Sequence, residues 1–287
     1  MVNNEFGGQH TVKKLETVAD YLDFYTTALK NKRLKLSYFD GFAGTGFMHQ
    51  KKNLPLLSDV KDIEIMKGSA LRSLDIRQSF DSYHFVEKSK AKAEKLQAEV
   101  NSKYSHRADK VKIEAGDVKK AIKNFCANLV GNKRAVVFLD PFGNQVNWSV
   151  LETIAATERV DLWYLFPSGL GVVRQLRNDG SVVPDARKSI DELFGTPDWI
   201  QEFTSHKTEP DLFGLHEYTA REIDADAVTR YMIKRMRSIF KGGVLDTWLP
   251  LGKDKAQWYS LIFACANPRH KANALAIKGA KAILSRK

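Results

Sequence analysis

Residues 39–47 read FDGFAGTGF and follow the apolar run LKLSY at 34–38. A strand that ends in Asp40 and continues through Gly41, Gly44 and Gly46 is built to bring backbone close to another group, because glycine tolerates positive φ and carries no Cβ. A simple turn needs one glycine at most. The spacing G-x-x-G-x-G reverses the G-x-G-x-x-G of dinucleotide sites, and no Gly-Lys-Ser/Thr of a phosphate loop follows. Nicotinamide and ATP are disfavoured as occupants of this loop. It offers instead an acid, aromatics beside the glycines and exposed amides, which suit a ligand bearing an ammonium, a carboxylate and an adenine.

The chain around this loop alternates regularly. Upstream, Leu15, Val18, Ala19, Leu22 and Tyr25 share one face of a helix predicted over 11–31, ahead of a strand at 34–39. Downstream, 48–66 is rich in Lys, Asn and Asp, contains Pro55 and reads as an inserted loop. A helix then opens at Gly68 with Ser69 as its cap. Strands are predicted at 82–86, 110–113, 134–139 and 161–166, separated by helices at 90–104, 118–129 and 148–157. Strict strand–helix alternation means right-handed crossovers and a parallel sheet covered on both faces.

The rhythm breaks between 170 and 220, which is expected to form a helical cap inserted within a single domain spanning 1–287. It resumes with a helix at 220–240, strands at 244–249 and 258–266, and a closing helix at 270–285. The connection PLGKDKAQ is too short for a parallel crossover, so the last strand runs antiparallel. The fold class expected is α/β: a doubly wound, mostly parallel seven-stranded Rossmann-like sheet, with ligands at the carboxyl ends of its strands.

Those ends carry further acids. YHFVEKS ends a strand at Glu87, where a carboxylate accepts both hydrogens of a ribose diol. In IEAGDVKK, Asp117 follows the next strand, either as an adenine contact or as the cap of the next helix. The run VVFLDPFGNQV ends a buried strand in Asp140-Pro141-Phe142-Gly143, an acid and an aromatic at the rim. Asp140 and the Pro141 carbonyl are placed to accept the hydrogens of an amino group, and Phe142 to stack on an extruded base. Ser168, in VDLWYLFPSG, lacks the G-x-S-x-G setting of a hydrolase nucleophile. His84 reads as a satisfied core residue, and His49 as a weaker pocket candidate.

S-adenosylmethionine (SAM) carries the ammonium, carboxylate and adenine that the glycine loop suits. DGFAGTG resembles the first motif of class I methyltransferases, in the form found among those that modify nucleic-acid amino groups. DPFG resembles the Asp-Pro-Pro-Tyr motif of adenine-N6 methyltransferases, but lacks the second proline and places its aromatic one position early. In order and spacing, KKLETVADYLDFYTTALKN, DGFAGTG, KGSALRSL, YHFVEKS, VVFLDPFGNQVNW and RVDLWYLFPSGLG resemble the three-Cys-motif partner protein family. That resemblance implies a class I methyltransferase-like fold and a cofactor site at Asp40, Gly41, Phe42, Gly44, Gly46, Glu87 and Asp117, with Asp140 and Phe142 at the acceptor. It also implies a neighbouring radical-SAM-type protein as partner.

Composition bounds the function. The formal charge of +11 favours anionic partners, nucleic acid first among them. Arg174, Arg177, Arg187 and Lys188 in the expected cap are candidates to hold phosphates. Two cysteines, both in apolar company, point to a reducing, cytoplasmic setting. No leader or apolar window of membrane-spanning length is apparent, and neither H-E-x-x-H nor Cys-x-x-Cys indicates a metal. The function expected is SAM-dependent methylation of a base in RNA or DNA. The alternative is a non-catalytic methyltransferase-like partner that binds SAM or nucleic acid.

Overall fold

The computed structural model describes residues 9–51, 63–211, 214–221, 223–253 and 256–287. Helix α1 (Gln9–Leu29) leads into β1 (Lys35–Asp40), whose last five residues are buried. A short antiparallel pair follows, β2 (Phe47–Lys51) with β3 (Ile63–Lys67), then α2 (Ser69–Asp75). The alternation continues through β4 (Ser82–Glu87), α3 (Lys90–Lys103), β5 (Val111–Ala115) and α4 (Val118–Ala127). Next come β6 (Lys133–Leu139), α5 (Trp148–Ala155) and β7 (Val160–Phe166). After them stand α6 (Pro184–Phe194), α7 (Trp199–Phe203) and a hairpin of β8 (Thr204–Asp211) and β9 (Gly214–Arg221). The chain closes with α8 (Ala225–Arg237), β10 (Leu249–Lys253), β11 (Ala256–Cys265) and α9 (His270–Leu284).

Seven strands form one sheet in the order β10-β11-β7-β6-β1-β4-β5. β11 runs antiparallel to both neighbours and the other pairings are parallel, as the short connection before it requires. From β1 the chain steps outward through β4 to β5, then returns to β6 on the other side of β1. The switch point of the sheet therefore lies between β1 and β6. Ligands of open α/β sheets bind at that crevice.

Alternation along the strands feeds two cores. Val137 and Leu139 of β6 enter the one shared with α4, α5, α6 and α8, while Val136 and Phe138 enter the one shared with α1, α2, α3 and α9. With β1, β6 and β7 buried almost throughout, the strand ends at the switch point are anchored from both sides.

Four local expectations are revised. The stretch 48–66 contributes β2 and β3 on either side of 52–62, which lies outside the described residues. Its polar composition masked the pairing. The strand expected at 244–249 begins only at Leu249, with Val244 making a lone bridge to Ala264. Pro250 sits within β10 because that strand is at the sheet edge, where a missing N–H costs little. The insertion at 170–220 is not helical throughout, since it ends in the β8–β9 hairpin. Its helices pack Ile190, Phe194, Trp199 and Phe203 into the α4/α5/α8 core. Helix α8 accordingly starts at Ala225, where the Asp224 carboxylate accepts from the Ala227 amide at 2.7 Å. No helix among the described residues is long and apolar enough to cross a membrane.

Candidate functional site

The glycine loop and the β6 rim open into one cleft of about 690 Å³. Its lining includes Gly41, Phe42, Gly44 and Gly46 after β1, Glu87 at the end of β4 and Asp117 after β5. Asp140, Phe142 and Gln145 complete it after β6. Gly44 and Gly46 both have left-handed backbone, with φ of +62° and +84°. A Cβ on Gly46 would strike Leu71 and Leu96 at 2.9 Å, so glycine there lets the loop lie against α2 and α3. A Cβ on Gly44 would meet nothing within 4 Å, so it would project into open space. The first glycine fits the loop to the protein and the second keeps the cleft clear.

Asp40 does not line the cleft but lies fully buried behind the loop. Its Oδ1 accepts from the Phe42 amide at 3.1 Å, while Oδ2 is buried without a hydrogen-bond partner. Burial pushes its carboxyl up to about 7, helped by the charge of Asp140, against the pull of Ser69, the Phe42 amide and Lys14. A buried, half-satisfied carboxyl of this kind is costly unless a donor completes it.

Glu87 is held from both sides. Its Oε2 accepts from the Gly44 amide at 3.1 Å and its Oε1 from the Ser89 amide at 2.9 Å, which ties the glycine loop to the end of β4. Each oxygen keeps a lone pair for a hydroxyl in the cleft. Asp117 caps α4 through the Lys119 amide at 2.7 Å and stands exposed in the cleft wall, so both of its expected roles are geometrically open. Phe39, the first aromatic of the motif, belongs to the core against Phe125 and His84.

At the β6 rim, Asp140 pairs with Lys14 of α1, Nζ to Oδ2 at 2.5 Å. Lys14 is 8% exposed. Sequence reasoning missed it, although a signal existed: Lys14 precedes Val18, Tyr21, Leu22 and Tyr25 on the apolar stripe of α1. A lysine on a buried helix face implies a partner. Pro141 is buried and Phe142 is 60% exposed, with its amide donating to Gln145 Oε1 at 3.0 Å. Lys88, Lys92 and Lys119 also line the cleft, near the ends of β4 and β5.

None of the four cap cations lines the cleft. Arg174 lies over the Trp258 ring at 5.9 Å, and its charge reaches Tyr259 together with that of Asp140. Arg187 turns away, bonded to Asp191 at 3.3 Å and stacked over Trp199 at 5.2 Å. Arg177 and Lys188 are exposed elsewhere on the insertion. The insertion packs on one face of the sheet, which is why its cations do not converge. Ser168 is buried and shares a hydroxyl network with Ser260 at 2.9 Å, and Ser260 with Thr229 at 2.6 Å, so the Ser168 hydroxyl is not exposed. His84 pairs with Glu114 at 3.2 Å as a satisfied residue. The His49 side chain lies outside the described residues.

No known protein family and no curated protein matches this sequence. Among solved structures, the chain is similar to Trm1 from Pyrococcus horikoshii, solved with S-adenosyl-L-methionine, at 13% identity and TM-score 0.44, covering 86% of this chain and 54% of that one. The chain thus spans about half the length of Trm1. It is also similar to protein LPL1258 from Legionella pneumophila, at 14% identity and TM-score 0.43, covering 82% of this chain and 94% of that one. A third neighbour is an S-adenosylmethionine-dependent methyltransferase from Clostridium acetobutylicum, at 13% identity and TM-score 0.37, covering 86% and 90%. The strand order, the reversed β11 and the switch-point cleft define a doubly wound, Rossmann-like α/β fold.

Proposed function

We propose that this chain is a SAM-dependent methyltransferase acting on a base of RNA or DNA. One observation carries the reading: the glycine cradle after β1 and the Asp140–Phe142 rim after β6 open into the same cleft, on the two sides of the switch point. The residues fit the cofactor. Gly44 leaves space where a side chain would intrude, Glu87 retains lone pairs for a ribose diol, and Asp40 braces the loop from behind through the Phe42 amide. When bound, SAM supplies a methyl carbon activated by its sulfonium.

The protein's part is placement and proton handling. Asp140 Oδ2 is engaged by Lys14, and its second oxygen is left to accept a hydrogen from the acceptor's amino group. Lys14 fixes the carboxylate's orientation. Phe142, half out of the surface, gives a base a face to stack on, worth about 1 to 3 kcal/mol. Holding two reactants in line supplies much of the rate enhancement of such a transfer.

A second reading is favoured by one observation: the Lys14–Asp140 pair neutralises the acid that the reaction uses. On that reading the chain is a SAM-binding or nucleic-acid-binding partner of a separate radical-SAM-type protein. The test is to incubate the protein with methyl-labelled SAM and either total RNA or total DNA, then digest and identify labelled nucleosides. The methyltransferase reading expects a labelled nucleoside from the wild type and none from Asp140→Ala, with SAM affinity unchanged within about threefold. SAM binding with no labelled nucleoside from either pool rejects it in favour of the partner.

A further inference from the structure

A second cavity lies at the other end of the sheet. It measures about 390 Å³ and sits between the second half of α1 and the start of α9, beside the amino ends of β1, β6 and β7. Phe24 of α1 lines it, with the buried Tyr21 and Tyr25 behind, and so does Leu275 of α9, 41% exposed. Five cations stand around these apolar groups: Lys32, Arg134, Arg159, Arg269 and Lys271.

The cations are uncompensated. Among the described residues, none of the five forms an ion pair with a carboxylate. Arg134 donates to the carbonyls of Gly131 and Lys133, and Arg159 to Gly131 at 2.6 Å, so these contacts orient the guanidinium groups without neutralising them. Burial holds Arg134 below its ordinary range, and the charges of Arg159 and Arg269 push it the same way. Asp161 is the single acid in the lining, and it accepts from the Tyr21 hydroxyl at 2.7 Å. Crowding three guanidinium groups together costs energy that an anion recovers.

We infer that this cavity binds a nucleoside carrying clustered phosphates, with the base against Phe24 and Leu275 and the phosphates among Arg134, Arg159 and Arg269. Its volume suits one nucleotide-sized ligand, and its two components match the two halves of such a ligand. A free nucleotide and the 5′ end of a strand share this chemistry. The inference is independent of the SAM cleft, which lies at the opposite ends of the strands.

The test is isothermal titration with ATP, adenosine, pyrophosphate and a 5′-phosphorylated ten-nucleotide RNA. It is run on the wild type, on Gly44→Val to obstruct the other cleft, and on an Arg134→Gln/Arg269→Gln double variant. ATP is expected to bind the wild type and Gly44→Val alike and to bind the double variant at least tenfold more weakly. Adenosine and pyrophosphate are each expected at least tenfold weaker than ATP. RNA tighter than ATP supports the site and assigns it to strand ends, while ATP tighter than RNA supports it and assigns it to free nucleotides. The inference is overturned if ATP binding disappears in Gly44→Val, survives in the double variant, or is matched by pyrophosphate. Thermal melting checks each fold, and Arg269→Gln alone, expected to weaken ATP binding at least threefold, serves if the double variant does not fold.

Discussion

The two ends of the sheet differ in charge and in construction. Around the carboxyl ends stand four acids from four strand ends, Asp40, Glu87, Asp117 and Asp140, with Lys14, Lys88, Lys92 and Lys119 among them. Around the amino ends of the central strands stand five cations and one acid. The acids are held by backbone amides, a lysine or a helix cap. Of the cations, Arg134 and Arg159 are oriented by carbonyls. A formal charge of +11 on the whole chain conceals this segregation. The difference teaches that one sheet presents a rim of mixed charge, suited to a zwitterionic, hydroxyl-bearing ligand, and a second rim suited to a polyanion, so each end can be disabled with little consequence for the other.

The sharpest way to break the comparison is Gly44→Val. A β-branched residue in left-handed backbone is strained by about 1 to 3 kcal/mol, and its side chain points into the open cleft. SAM affinity, measured by calorimetry, should fall more than a hundredfold, with the amino-end cavity unaffected. Affinity within tenfold of wild type would remove the glycine loop from the cofactor site.

Each end also buries one carboxyl with its titration displaced upward by burial: Asp40 to about 7 and Asp161 to about 6, from an ordinary value of 3.8. A raised value in the folded state means that the folded chain binds more protons than the unfolded chain between the ordinary and the raised value. These two residues therefore make stability fall as pH rises from about 4 to 7, by an amount on the order of a few kcal/mol. Urea unfolding across that range should show Asp40→Asn and Asp161→Asn each flattening the slope.

How much of this was legible in the sequence follows the range of the interactions. The parallel strands announced themselves because strands buried on both faces must be apolar runs, and the glycine loop because its backbone geometry admits little else. The reversed β11 followed from the length of one connection. The Lys14–Asp140 pair joins positions 126 residues apart, and only the stray lysine on an apolar stripe hinted at it. The amino-end cavity was less visible still. Arg134, Arg159 and Arg269 come from separate elements and meet only when β6, β7 and the segment after β11 are brought side by side. Charge counting along the chain singled out the insertion instead, whose cations the fold disperses.

The smallest effect, and the most informative about the carboxyl end, belongs to Lys14→Met. Removing one member of a buried ion pair strands the other, but Asp140 retains 23% exposure of its side chain, so water compensates and the loss of stability should be about 1 kcal/mol. The two readings of the cleft then diverge. If Lys14 orients Asp140 for a reacting amino group, Lys14→Met lowers turnover roughly tenfold with SAM affinity unchanged. A merely structural pair would lower the melting temperature and leave turnover of the folded enzyme alone. Turnover that rises on removing Lys14 would mean that the lysine restrains the acid, which is how a methyltransferase scaffold held as another enzyme's partner would be kept silent.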